Sequence, residues 1–139
     1  MRTRHKALVW IVRPAASGPE VLLLERPANR GGGLHPVTGK ADRGETPRAA
    51  AVREAQEETG LGGVVRDLGF RHEFVAARPG KKETRWIEHA WLLSVPAGSE
   101  PVLSDEHVAA HWVPGPEATA LLTWAAHREA LALALAPPV

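Results

Sequence analysis

Apolar residues come in short blocks along the first third of the chain. Residues 6–13 (KALVWIVR) and 20–26 (EVLLLER) are rich in aliphatic and β-branched side chains and are separated by Pro14, Gly18 and Pro19. They predict two strands and a turn. Asn29–Gly33 (NRGGG) predicts a loop and Leu34–Gly39 a third short extended segment. A helix follows at Pro47–Thr59: Thr46 is a good N-cap, Pro47 fits the first turn and Gly60 fits the position after the last turn. Residues 64–78 and 83–95 predict two long strands around Pro79-Gly80-Lys81-Lys82. In the second of them Ile87, His89, Trp91, Leu93 and Val95 share one face by the two-residue period. A polar loop (96–107) and a short strand (Val108–Val113) lead to a helical tail over 117–136. Its stripe of Leu121, Trp124, Ala125, Leu131, Ala132 and Leu135 predicts a core-facing helix. The order β-β-β-α-β-β-β-α predicts an α/β (α+β) architecture, a mixed β-sheet flanked by a central helix and a C-terminal helix.

Composition narrows the chemistry. The 139 residues suit a single domain over 1–139, and 17 Lys+Arg against 16 Asp+Glu give a formal charge of +1. That balance argues against a protein that coats a nucleic-acid polymer. With no Cys there is no disulfide framework, no thiolate zinc site and no thiol nucleophile. Arg2, Arg4 and Lys6 before Ala7–Val12 imitate a secretory signal, but the apolar run is short and Arg13 ends it. No stretch approaches the ~18 apolar residues of a membrane span. The expectation is a cytoplasmic protein with no membrane partner.

The most informative segment is Gly39–Leu61, GKADRGETPRAAAVREAQEETGL. At about 100° per residue, Glu54, Glu57 and Glu58 fall on one arc of the helix, with Ala51, Val52 and Ala55 on an adjoining arc that can pack on the sheet. Like charges on one stripe repel, and an oxygen-coordinated divalent cation reverses the sign of that interaction. Arg53 can hold the neighbouring carboxylate by a charge-assisted hydrogen bond. A solvated acidic helix face is the plainer alternative. It loses ground to the wider spacing: Gly39, five residues, Glu45, seven residues, then Arg53-Glu54-Ala55-Gln56-Glu57-Glu58-Thr59-Gly60-Leu61.

That spacing resembles the Nudix hydrolase signature, G-x5-E-x7-R-E-U-x-E-E-x-G-U, at every fixed position, with Ala55 the smallest residue the aliphatic position admits. The resemblance implies a Nudix α/β/α sandwich. It implies Mg²⁺ or Mn²⁺ bound by Glu54, Glu57 and Glu58, with a backbone carbonyl at Thr38 or Gly39. It implies an orienting role for Arg53 and a supporting one for Glu45. The family's reaction is attack of water on phosphorus in a nucleoside diphosphate linked to another group. The general base is then Glu54 or a later-loop glutamate, for which Glu106 in Ser104-Asp105-Glu106-His107 is the candidate; otherwise Glu106 is an ordinary exposed loop residue.

Other signals are weaker. Gly33–Lys40 glances at a phosphate-binding P-loop, but its spacer is too long and Ala41 stands where Ser or Thr belongs. His107 and His111 have no third ligand nearby in sequence, so neither is expected to bind metal. Arg26, Arg30 and Lys40 are candidates for contact with a phosphate chain, with loop solubility as the alternative. The tryptophans are expected in the core, with Trp86 or Trp10 the choice for stacking on a base or pterin.

For substrate, the resemblance points away from ADP-ribose, since Ala76 stands where that group carries Pro. The absence of Tyr weighs against the usual dinucleoside polyphosphate group. Pro36-Val37-Thr38-Gly39, Glu106-His107 with Trp112, and Trp124 with Arg128 resemble dihydroneopterin triphosphate pyrophosphatases, with Asp42 a departure from their usual glutamate. The expectation is a Mg²⁺-dependent pyrophosphohydrolase taking a (deoxy)nucleoside or pterin triphosphate to monophosphate and pyrophosphate, as a monomer or homodimer. The alternatives are a dinucleoside polyphosphate (Ap4A-type) hydrolase and a non-catalytic nucleotide-binding Nudix regulator. The intact box glutamates disfavour the regulator.

Overall fold

The computed structural model describes residues 1–137. Its elements are β1 (Arg2–Arg13), β2 (Glu20–Glu25), a 3-10 turn (Ala28–Arg30), β3 (Leu34–His35), β4 (Val37–Lys40), α1 (Pro47–Thr59), β5 (Val65–Ala76), β6 (Thr84–Ser94), β7 (Ala109–Pro114), α2 (Gly115–Leu121) and α3 (Ala125–Leu135). The strands make one seven-stranded sheet with the path β3-β2-β1-β6-β5, β4 pairing with β1 and β7 with β2. Only β1 and β6 run parallel; the other pairs are antiparallel.

β1 organises the sheet because its alternating side chains serve two cores. Ala7, Val9 and Ile11 pack with Trp91, Leu93 and the α1 alanines Ala50, Ala51 and Ala55. Leu8 and Trp10 pack on the opposite face with Ala90, Ala118, Leu122, Ala130, Leu131 and Ala134. The result is the expected mixed sheet between a central helix and C-terminal helices. The strand begins earlier than its apolar run, since Arg2–His5 are paired with Thr84–Ile87 of β6. The ladder, not hydrophobicity, extends it.

Three details differ from the residue pattern. The short third strand is two strands. Pro36 lacks an N–H, and the chain changes partner there, from β2 (Leu24 opposite His35) to β1 (Val9 opposite Val37). In α1, Ala50 joins Ala51 and Ala55 in the core, whereas Val52 is exposed. The tail is two helices, not one, broken at Leu122-Thr123-Trp124. Arg128 holds the break by donating to the carbonyls of Leu122 (2.9 Å) and Thr123 (3.1 Å). The buried stripe is therefore His127, Ala130, Leu131 and Ala134, while Leu121, Trp124, Ala125 and Ala132 are exposed.

Helix α1 is capped as its sequence indicates. Thr46 Oγ1 accepts from Ala49 N at 3.1 Å, Pro47 opens the first turn, and Gly60 ends it at φ 70°, donating to Gln56 O at 2.9 Å. No helix among the described residues is long and apolar enough to cross a membrane.

Two histidines are buried within the sheet. Burial, with Arg26 nearby, pushes the imidazole of His35 down to about 3, and burial with Arg71 nearby pushes His89 down to about 4. Both bind a proton more weakly in the folded chain than at the ordinary 6.5 of an unfolded one. The unfolded chain therefore takes up more protons as the pH falls below about 6.5, and stability should drop with pH down to about 3. Urea unfolding across that range should show a loss of a few kcal/mol, since each extra proton on the unfolded chain costs about 1.4 kcal/mol per pH unit. The slope should flatten in His35→Gln, and an unchanged slope there would show that this imidazole is not held neutral.

Candidate metal and catalytic site

The site forms where the C-terminal turns of α1 meet β4 and the loop before β7. Glu54, Glu57 and Glu58 are graded in exposure. The Glu57 side chain is 58% exposed, that of Glu54 is 14% exposed, and Glu58 as a whole is 5% exposed. The roll of α1 on the sheet sets this grading, turning Glu58 toward the sheet and Glu57 away from it.

Arg53 ties the acidic residues together. Its Nε and Nη2 donate to Glu45 at 2.8 and 2.9 Å, and Nη1 to Glu54 at 3.0 Å and Glu57 at 3.1 Å. Nη2 also donates to Lys40 O at 3.0 Å, which pins the end of β4 to the helix. This guanidinium holds the Glu45 carboxyl down to about 2. Glu45 also accepts from Asp42 N at 2.9 Å, closing the turn before α1. Gly39, of β4, lies directly against the Glu54 carboxylate: a Cβ there would overlap its carboxyl atoms. The glycine is needed for close approach, not for an unusual φ.

Glu106 reaches the helix because the loop is stitched to it. Val102 N donates to Thr59 O at 2.8 Å and Ser104 N to Glu58 O at 3.3 Å. These contacts bring one ligand atom each of Glu58, Glu106 and His107 within 4.8 Å of one another. Residue order shows no third ligand near His107; the fold brings Glu58 to it from a helix far away in sequence, alongside its chain neighbour Glu106. Glu58 Oε2 is buried with no hydrogen-bond partner. Burial, then the nearby Glu54 and Glu106, push the Glu58 carboxyl up to about 8. Burial also raises Glu54, opposed by Arg53. An orphaned oxygen among like charges is costly on its own and fits a divalent cation.

A cleft of about 590 Å³ lies on the opposite face of the sheet, lined by Lys6, Arg26, Thr38, His72, Phe74, Glu88, Trp124 and the start of α3 as far as His127. Thr38 faces it while the next residue, Gly39, faces Glu54, so β4 is the wall between cleft and carboxylates. Glu88 accepts from His72 Nδ1 at 2.8 Å, and His72 stacks on Phe74.

The remaining sequence candidates are spread around these two features. Arg26 lines the cleft and lies close enough to Glu58 to oppose the rise in its pKa. Lys40 is exposed with Nζ 5.5 Å from the centre of the Trp86 ring, and Arg30 is exposed in the 3-10 turn. Trp86 is 8% exposed and packed under Arg4, Lys6 and Lys40; it does not line the cleft. Trp10 is fully buried. The aromatic side chains that do line the cleft are Phe74 and Trp124, the latter 63% exposed. The residue pattern gives no weight to Phe74 and places Trp124 in the core. Trp124 is set apart only by the break between α2 and α3, which the structure shows and the residue order does not.

Known proteins match the sequence and the fold of this chain. The NUDIX domain family model matches residues 3–134. The dihydroneopterin triphosphate pyrophosphohydrolase of E. coli superposes with a TM-score of 0.79 at 27% identity, covering 97% of this chain and 98% of that one. An Ap4A hydrolase of C. elegans superposes with a TM-score of 0.71 at 23% identity, covering 94% and 93%. Over 124 residues the chain is 39% identical to an octanoyltransferase of Myxococcus xanthus, a match covering 86% of this chain and 34% of that protein. The chain thus spans about a third of the length of the curated relative it matches. With the complete box running from β4 through α1 and a family match running almost from end to end, the chain belongs to the NUDIX domain family.

Proposed function

We propose that the chain is a divalent-metal-dependent pyrophosphohydrolase that cleaves a pterin or (deoxy)nucleoside triphosphate to a monophosphate and pyrophosphate. The observation that carries this reading is a carboxylate cluster around the buried, unpartnered Glu58 Oε2, one strand's thickness away from an aromatic-lined cleft. Glu57 and Glu58, joined by Glu106, would hold Mg²⁺ or Mn²⁺, with the carbonyl of Gly39 beside them. The bound cation neutralises phosphate oxygens and lowers the pKa of a water.

The chain's own groups supply the rest. Glu54 accepts the proton of the attacking water; half-buried and raised in pKa, it is better matched to that task at neutral pH than an exposed carboxylate. Arg53 holds Glu54 in place through Nη1, which also donates to Glu57. The water oxygen bonds to phosphorus as the phosphoanhydride bond breaks, and the electron pair leaves with the departing phosphate. Arg26 and Lys40 carry positive charge toward the phosphate chain.

The cleft favours one kind of ring. Phe74 and Trp124 offer faces for stacking, and the Glu88 carboxylate has acceptor positions beyond the one His72 uses. Guanine and pterin present a ring N–H and a 2-amino group side by side, a donor pair that suits a carboxylate; adenine does not. This supports the pterin or guanine triphosphate over the Ap4A-type reading. Octanoyl transfer, the activity in the name of the M. xanthus relative, finds no counterpart in these side chains, whose chemistry suits a cation and a phosphate.

Turnover of a panel of pterin and nucleoside triphosphates, Ap4A and ADP-ribose in Mg²⁺ or Mn²⁺ should yield pyrophosphate from the triphosphates; no turnover of any member sinks the enzymatic reading. Glu58→Gln and Glu57→Gln should each lower kcat at least ~10²-fold while circular dichroism stays unchanged. Near-normal kcat in both would remove them from the metal site. Wild type should prefer dihydroneopterin triphosphate or dGTP to dATP, and Glu88→Gln should shrink that preference by roughly 10- to 100-fold, as loss of a charged hydrogen bond does. An undiminished preference would show that Glu88 does not read the ring.

A further inference from the structure

Beside the carboxylates stands a pair of histidines that the reaction above does not use. His35 is 4% exposed in β3, and its Nδ1 is hydrogen-bonded to the carbonyl of Pro36. A carbonyl only accepts, so Nδ1 carries the proton. A neutral imidazole has one proton, and its other nitrogen, Nε2, is then a bare acceptor. His107 Nε2 lies 3.2 Å from His35 Nε2, with the rings 5.0 Å apart between centroids. One of two facing nitrogens must donate, so His107 carries its proton on Nε2. That leaves Nδ1 of His107 as a lone pair.

This Nδ1 is buried and has no hydrogen-bond partner. His107 also supplies the third ligand atom of the group with Glu58 and Glu106. Glu58 Oε2, buried and equally unpartnered, is the second orphan of the same group. Two desolvated donor atoms without hydrogen-bond partners are the condition in which a metal site is left when its ligands are fixed in advance. The Pro36 carbonyl and the His35–His107 contact together do the fixing: a peptide oxygen selects one tautomer, and that tautomer selects the next.

We propose that His107, through Nδ1, is a nitrogen ligand to the cation held by Glu58 and Glu106, and that His35 is the positioning residue that sets its tautomer. The inference rests on the metal reading above. It gives the site a mixed oxygen and nitrogen character. An imidazole is a poor donor for Mg²⁺ and suits Fe²⁺, Ni²⁺, Cu²⁺ or Zn²⁺, so affinity should lean toward those metals, with Mn²⁺, which takes oxygen ligands first but also accepts imidazole, serving as the paramagnetic probe.

The test is Mn²⁺ binding to the full chain, followed by pulsed electron paramagnetic resonance, which detects a directly coordinated ¹⁴N. Wild type should show ¹⁴N modulation, and His107→Gln should lose it while still binding Mn²⁺ through its carboxylates. His35→Phe removes the acceptor and should weaken Mn²⁺ binding about 10-fold, the usual size of an outer-partner effect. His35→Gln, whose amide oxygen can accept from His107 Nε2, should recover most of that loss and serves if the Phe variant does not fold. Mn²⁺ bound by wild type but not by Glu58→Gln, with no ¹⁴N modulation in wild type, overturns the nitrogen ligand and leaves the carboxylate site standing. Failure of wild type to bind Mn²⁺ at all overturns both.

Discussion

Glu54, Glu57 and Glu106 are held close enough that each raises the proton affinity of a neighbouring carboxyl, and buried Glu58 receives the push of all three. Most of what surrounds them maintains that unfavourable arrangement. Isolated surface carboxylates would rotate into water and separate. Here Glu58 is turned into the protein, Glu54 is clamped between Arg53 and the bare backbone of Gly39, and Glu106 is carried in by a loop bonded to the end of α1. Arg53 offsets part of the repulsion from one side only. The inner side, where Glu58 Oε2 has no partner, calls for a cation.

The sheet divides the labour between its faces. The α1 face carries the carboxylates, and the α2–α3 face carries the cleft. Strand β4 serves both, since Thr38 and Gly39 are successive residues that point to opposite sides. Arg26 follows β2 and belongs to the same border. A triphosphate whose ring lies in the cleft must pass this edge to bring a phosphorus to the carboxylates. In the reaction proposed above, the carboxylates and the aromatic cleft would take one substrate together across this edge. The break between α2 and α3, held by Arg128, supplies Trp124 to the cleft instead of to the core.

Local chemistry explains which parts of this can be read from residue order. The caps of α1 depend on Thr46, Pro47 and Gly60 alone, so they are visible there. The period-two faces of β6 are visible for the same reason. The three box glutamates are visible as a stripe, but not their graded burial, which depends on how the helix rolls on the sheet. Val52 is expected inside and Ala50 is there instead, because small residues let the helix lie close. The division of the tail is hidden by a continuous apolar composition, and the role of Pro36 by a strand that changes partners. His107 is the hardest: its partners Glu58 and His35 lie 49 and 72 positions away, and only the folded loop brings them together.

The central claim is that this crowding of acidic groups is a cation site. The most direct measurement is an anomalous difference map from crystals of the full chain soaked in Mn²⁺. The predicted result is a peak enclosed by Glu58, Glu106 and His107, adjacent to Glu54. A map with no peak there, or with Mn²⁺ only at exposed carboxylates elsewhere, would contradict it.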